Sequence, residues 1–141
     1  MNLRPPHTSR GVVEESLAVA ELVKVNDEEL LELGSWHNSV GEDKKDIAHH
    51  LMGRYNISVL VVTEGERGAW LLDGDDFSQV PGQQVAVVDT VGAGDAFFAA
   101  LLAGYTNGKP WEDCLKAADR LGGFVASQHG ATPVIPDELI D

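Results

Sequence analysis

The chain has 141 residues, enough for one ordinary domain with a real core. Hydrophobic residues make up 43%, which argues against wholesale disorder. The formal net charge of −13 disfavours nucleic acid and anionic membranes as general partners, but leaves room for one local anion pocket. The single cysteine, Cys114, excludes an intrachain disulfide and a cysteine-based metal site, and nothing argues for an oxidising compartment. Met1-Asn2-Leu3-Arg4-Pro5-Pro6 lacks the apolar centre of a signal peptide, and the longest apolar run, Ala96 to Ala103, is too short for a membrane span. The expectation is a soluble, cytoplasmic protein.

In chain order, residues 1–10 read as a polar entry loop. Val12 to Leu22 carries apolar residues at helical spacing. Leu22 to Asn26 is a short β-branched run that predicts a buried strand, and Asp27 to Gly34 predicts a short acidic helix. Ser39-Val40-Gly41-Glu42 has the form of a capping box opening a helix to about Arg54. Ile57 to Thr63 is the strongest strand signal, and its continuous apolar character suggests a parallel strand covered on both faces. Gly65 and Gly68 mark a turn, Ala69 to Leu72 a returning strand, Asp73 to Asp76 a turn, and Val85 to Val88 a further strand. Asp89 to Gly94 then forms a glycine-rich turn into an apolar helix, Asp95 to about Tyr105, ended by Asn107-Gly108. Pro110 starts a last helix with Glu112 and Asp113 in its first turn; it ends near Gly130, and Thr132 to Asp141 is irregular. Alternating strands and helices define an α/β chain with a mainly parallel sheet.

The chemistry concentrates in Asp89-Thr90-Val91-Gly92-Ala93-Gly94-Asp95. Small residues between a strand and a helix leave backbone N–H groups uncovered at a helix start, which suits an anion such as phosphate. Asp95 can be a dipole-favoured acid of the first turn. It can also be the base that takes a hydroxyl proton while the N–H groups hold charge on a transferred phosphoryl. The apolar helix after it is expected to be buried. Gly104 to Pro110 fails the Walker A spacing, and Gly92 to Phe97 lacks the third glycine of the dinucleotide fingerprint. His49 and His50 have no further ligand at metal spacing, His129 suits a helix end, and Cys114 suits a core. Trp36, Trp70 and Trp111 are too scattered for a stacking platform.

Asp89 to Asp95, with small apolar residues after it, resembles the C-terminal signature of the PfkB (ribokinase-like) carbohydrate kinases. Three further segments are similar in order and spacing: Asn26-Asp27-Glu28-Glu29, Thr63-Glu64-Gly65-Glu66-Arg67-Gly68, and Gly130-Ala131-Thr132-Pro133. Asn2-Leu3-Arg4-Pro5 is most like fructokinase-type members. The resemblance covers essentially residues 1–141 and implies a three-layer αβα fold, as the C-terminal, nucleotide-binding half of a longer kinase. The sugar-binding half and its β lid are expected to be absent.

The resemblance also implies roles. Asp95 is the general base, and Gly92, Ala93 and Gly94 form the anion hole. Asn26 and Glu29 help place Mg2+ and phosphate, largely through water, although the same pair can be a helix-capping box. Thr63, Gly65 and Gly68 contact the nucleotide, or form an ordinary turn. Asp119 stands where the family often has an Asn near the adenine, and an ionised Asp cannot donate a hydrogen bond there. Asp89 and Val91, with carbonyls around Val125, Gln128 and Gly130, match positions that hold a monovalent cation such as K+ in some members. The implied reaction is ATP-dependent phosphorylation of a sugar hydroxyl, with ATP and sugar as partners. A nucleotide-binding module without catalysis, or a self-associating non-catalytic remnant, are the alternatives.

Overall fold

The computed structural model describes residues 9–39 and 43–139. The Asn2–Pro5 segment and most of the expected capping box, Val40 to Glu42, lie outside the described residues. Two compact units emerge: Met1–Glu64 with Trp70–Phe77, and Gly65–Ala69 with Ser78–Asp141.

In the first unit, helix α1 spans Arg10–Leu17, with Ser9 accepting from the Val12 N–H, and buries Val13 and Leu17. It stops at Leu17 rather than Leu22, because Leu22 is drawn into the ladder of strand β1, Leu22–Asn26. β1 pairs in parallel with β2, Val59–Thr63, in a register running from Leu22↔Val59 to Asn26↔Thr63. Val59 to Val62 are buried without a break, as their continuous apolar character requires of a strand covered on both faces. Helix α2 spans Asp27–Ser35 and helix α3 Lys44–Tyr55. The start of α3 corrects the expected Ser39 cap. Asp43 is the capping residue, accepting from the Lys45 N–H, and Asn56 in the left-handed conformation closes the far end. Strands β3, Ala69–Asp73, and β4, Asp76–Val80, flank a two-residue turn at Gly74-Asp75. That link makes them an antiparallel hairpin. β4 is absent from the sequence expectation because most of Asp76–Val80 is exposed and carries little apolar pattern. The sheet order is β1-β2-β3-β4, so a parallel pair is extended by a hairpin. Leu30, Leu33, Leu51, Leu60 and Val25 fill the core at under 2% exposure. Each such side chain contributes roughly 1.5–3 kcal/mol.

The second unit is built on helices α4, Ala93–Thr106, and α5, Trp111–Ala126. They form an antiparallel helical hairpin whose two ends approach at glycines. A Cβ on Gly104 would lie 2.8 Å from the Cys114 sulfur, and one on Gly122 would lie 3.2 Å from the Phe97 Cβ. Cys114 is a fully buried core residue.

Four expectations are corrected in this unit. Val85 to Val88 is not a strand: the Val88 and Asp89 N–H groups both donate to the Ala126 carbonyl, and Val87 and Val88 are exposed. β-branched residues favour a ladder only where a partner strand meets them. α4 begins at Ala93, before Asp95. It buries only Phe97, Leu101 and Gly104, while Ala99 and Ala103 are exposed, because alanine serves helix formation as readily as burial. α5 ends at Ala126, capped by Ser127, and the positive φ of Gly130 serves the loop beyond it.

Candidate functional site

In the first unit the candidate residues gather at the carboxyl ends of β1 and β2. Asn26 and Thr63 are register partners there. The Asn26 Oδ1 accepts from the Glu29 N–H at 2.7 Å, and the Glu29 Oε2 accepts from the Asn26 N–H at 2.9 Å. This reciprocal capping box satisfies two N–H groups that the helix start would orphan. It also buries Glu29 to 8% exposure beside the strand ends. The Thr63 hydroxyl donates to the Val25 carbonyl at 3.4 Å. Sequence reasoning missed Lys44. Its ammonium pairs with both Asp27 and Glu64, the residues immediately after Asn26 and Thr63. Nothing in the spacing of Lys44 signals this, because the contact is made by tertiary packing of α3.

In the second unit, the turn before α4 is closed by Asp89. Its Oδ1 accepts from the Val91 N–H at 3.0 Å, and its Oδ2 accepts from the Gly130 N–H at 3.3 Å. Asp89, Val91 and Gly130 are thus brought together. Gly92 is the N-cap residue, with φ 84°, and no side chain caps α4. The Ala93 N–H donates to the Thr90 carbonyl at 3.3 Å, so it is not one of the uncovered donors expected from the sequence. The Gly94 and Asp95 N–H groups occupy the second and third helical positions, where a helix supplies no internal acceptor. Asp95 is exposed in that first turn, and among the described residues no hydrogen bond or ion pair engages it.

Gly65 opens the 3-10 turn Gly65–Arg67 and Gly68 follows it, and both glycines have positive φ. The Gly68 position leaves no space for a Cβ: one built there would run into the Val80 carbonyl and the Gly82 backbone. A Cβ on Gly82 would in turn meet the Glu66 carbonyl. This crossing of two backbones explains Gly68 structurally and brings in Gly82, which carried no motif signal.

Asp119 lies half-buried on α5, where burial, opposed by the nearby Gln83 backbone, pushes its carboxyl above the usual carboxylate range. It lines a cleft of about 570 Å³ with Val80, Pro81, Gln83, Lys116 and Arg120. His129 is exposed beyond the end of α5. The His50 ring lies 6.2 Å from that of His37, yet among the described residues no three His, Cys, Asp or Glu side chains converge to chelate a metal. No helix among the described residues is long and apolar enough to cross a membrane.

The profile of the pfkB family carbohydrate kinases matches residues 1–138, and the chain belongs to that family. A fructokinase from Vibrio alginolyticus is 31% identical over 135 residues, covering 92% of this chain and 42% of the relative. A cytidine kinase from Thermococcus kodakarensis is 35% identical over 109 residues, covering 76% of this chain and 37% of the relative. A protein described as a ribokinase II from E. coli, solved in complex with ATP and Mg2+, superposes with a TM-score of 0.76 at 21% identity. That match covers 86% of this chain and 38% of the other, and it establishes the ribokinase-like α/β fold. The chain therefore spans about two fifths of the length of these relatives.

Proposed function

We propose that the chain is the nucleotide-binding half of a kinase that transfers the γ-phosphoryl group of ATP to a hydroxyl of a sugar or of a sugar-bearing nucleoside. The observation that carries this reading is the Asp95 carboxylate, unengaged among the described residues, in the first turn of a helix with no side-chain cap, within a chain of the pfkB family. The hydroxyl proton passes to Asp95 as the oxygen forms its bond to the γ-phosphorus. The bond from that phosphorus to the bridging oxygen breaks, and the nucleoside diphosphate leaves. The Gly94 and Asp95 N–H groups, with the helix dipole behind them, hold negative charge on the moving group. Preorganised donors of this kind cost no rearrangement during the reaction.

Bound Mg2+ would neutralise the phosphate oxygens. Asn26 and Glu29 already bond each other's backbone, so they fit a water-mediated contact better than direct ligation. Both Asp89 oxygens accept N–H groups and keep further lone pairs, which suits a monovalent ion such as K+ in that loop. Such an ion would stiffen the turn before α4.

Thermal unfolding of the chain with and without magnesium-ATP tests the nucleotide half of the proposal. A ligand at one hundred times its dissociation constant adds about 2.7 kcal/mol, a clear upward shift. A panel of sugars and nucleosides with labelled ATP tests transfer. ATP binding without transfer to any acceptor would leave a nucleotide-binding module. An unmoved transition with no transfer would overturn the proposal.

A further inference from the structure

We propose that Asn107, with Gly108 after it, is a site of spontaneous deamidation, and that its conversion unlatches the tip of the α4–α5 hairpin. The inference does not depend on the kinase reading. Asn107 is the one asparagine of the chain that is followed by glycine. Both residues are exposed, and a Cβ on Gly108 would meet nothing within 4 Å. With no side chain in the way, the Gly108 nitrogen is open to the Asn107 amide carbon. That nitrogen attacks Cγ, and the new C–N bond closes a cyclic imide. The Asn107 side-chain nitrogen takes up the displaced proton and leaves as ammonia. Water then opens the imide at either carbonyl, giving aspartate or isoaspartate. No oxidant or reductant takes part.

The native loop holds the reacting groups apart. The Asn107 Nδ2 donates to the Ala103 carbonyl at 2.8 Å, and the Gly108 N–H donates to the Tyr105 carbonyl at 2.9 Å. Leaving group and nucleophile are thus both committed to the last turn of α4, and ring closure waits on local opening of that turn. The bonds continue into the hairpin tip. The Lys109 N–H donates to the Gly104 carbonyl at 3.1 Å, and the Lys109 carbonyl accepts from the Cys114 thiol at 3.4 Å. Either product puts a carboxylate where the amide was. A carboxylate cannot donate to Ala103, and it sets a negative charge at the negative end of the helix dipole. Isoaspartate also lengthens the main chain, so Gly108 and Lys109 lose register with Tyr105 and Gly104. Cys114, fully buried behind Lys109, then becomes reachable from solvent.

The test incubates the full chain at mildly alkaline pH and maps amide loss by peptide mass spectrometry, with isoaspartate scored by enzymatic methylation. Asn107 should convert ahead of every other asparagine. Its conversion should run about tenfold faster in urea, the factor that ~1.4 kcal/mol of local opening withholds in the native chain. Asn107→Asp, which installs the aspartate product directly, should be labelled by a thiol reagent at Cys114 about tenfold faster than the wild type. If that variant does not fold, wild-type chain aged to isoaspartate is labelled instead. Conversion of another asparagine ahead of Asn107, no conversion at Asn107, or an equal rate in urea would overturn the gated site. Cys114 labelling that is unchanged after conversion would overturn the unlatching.

Discussion

Gly92 and Ala131 touch backbone to backbone: a Cβ on Gly92 would lie 2.5 Å from the Ala131 carbonyl oxygen. The contact joins the turn before α4 to the loop after α5, and Gly92 holds φ at 84° to make it. Gly92→Ala should therefore destabilise the second unit by at least about 1–3 kcal/mol, the cost of a strained left-handed residue. Urea unfolding followed through Trp111, the one tryptophan of that unit, measures it. An unchanged midpoint would mean that Ala131 moves aside freely.

Gly104 and Cys114 give a second test of packing. Gly104→Ala should cost about 1–3 kcal/mol by overpacking, since the new methyl would fall 2.8 Å from the Cys114 sulfur. Cys114→Ala removes that sulfur. The double variant should be more stable than the sum of the single changes predicts, with a coupling of at least about 0.5 kcal/mol. Additive effects would place the strain elsewhere.

Asn26→Ala removes the side-chain half of the capping box and should cost about 1 kcal/mol. Asn26→Asp, which can still accept the Glu29 N–H, should recover most of it. Thermal midpoints of the two variants make the comparison.

Asp95→Asn should lower phosphoryl transfer by about 10²–10⁴-fold, the range expected when a general base is removed. Nucleotide affinity should stay within a few-fold. The thermal midpoint should barely move, because the carboxylate is exposed and unengaged among the described residues. Transfer that survives the substitution would remove Asp95 from the chemistry.

His37 gives a pH dependence. Its Nε2 lies 2.9 Å from the Tyr55 hydroxyl. Burial, and then the positive charges of Arg54 and Arg10, hold its imidazolium below the ordinary value of 6.5. The unfolded chain thus binds the proton more readily than the folded one. Stability from this group is fully present above pH 6.5 and declines as pH falls through the depressed folded value. His37→Gln should flatten that decline in midpoints measured from pH 7.5 down to 5. An unchanged slope would assign the acid sensitivity to other groups.

The parallel pair was legible in the sequence because Ile57 to Thr63 carries the near-continuous apolar run that unbroken burial leaves, and Leu22 to Asn26 is a short β-branched run whose Val23 and Val25 are buried. β4 was not, because an exposed hairpin arm like Asp76 to Val80 needs no apolar pattern. Val85 to Val88 misled for the converse reason: its composition suits a strand, but the Val88 N–H, with that of Asp89, goes to the Ala126 carbonyl at the end of α5. Of the candidate site, the turn from Asp89 to Asp95 and the Asn26–Glu29 pair could be read from local spacing. The Lys44 bridge, the Gly82 crossing and the cleft beside Asp119 could not, since each joins segments far apart in the chain.

The division of labour among these residues has an evolutionary consequence. Gly68 and Gly92 admit no side chain, and Asn26 and Glu29 hold a helix start. A descendant that had lost all activity would still need them to fold, so their persistence in a lineage says little about what the protein does. Asp95 carries almost no such burden. Released from selection for phosphoryl transfer it should be the first of the group to drift, so its replacement in a homologue is the change that would mark a lost activity.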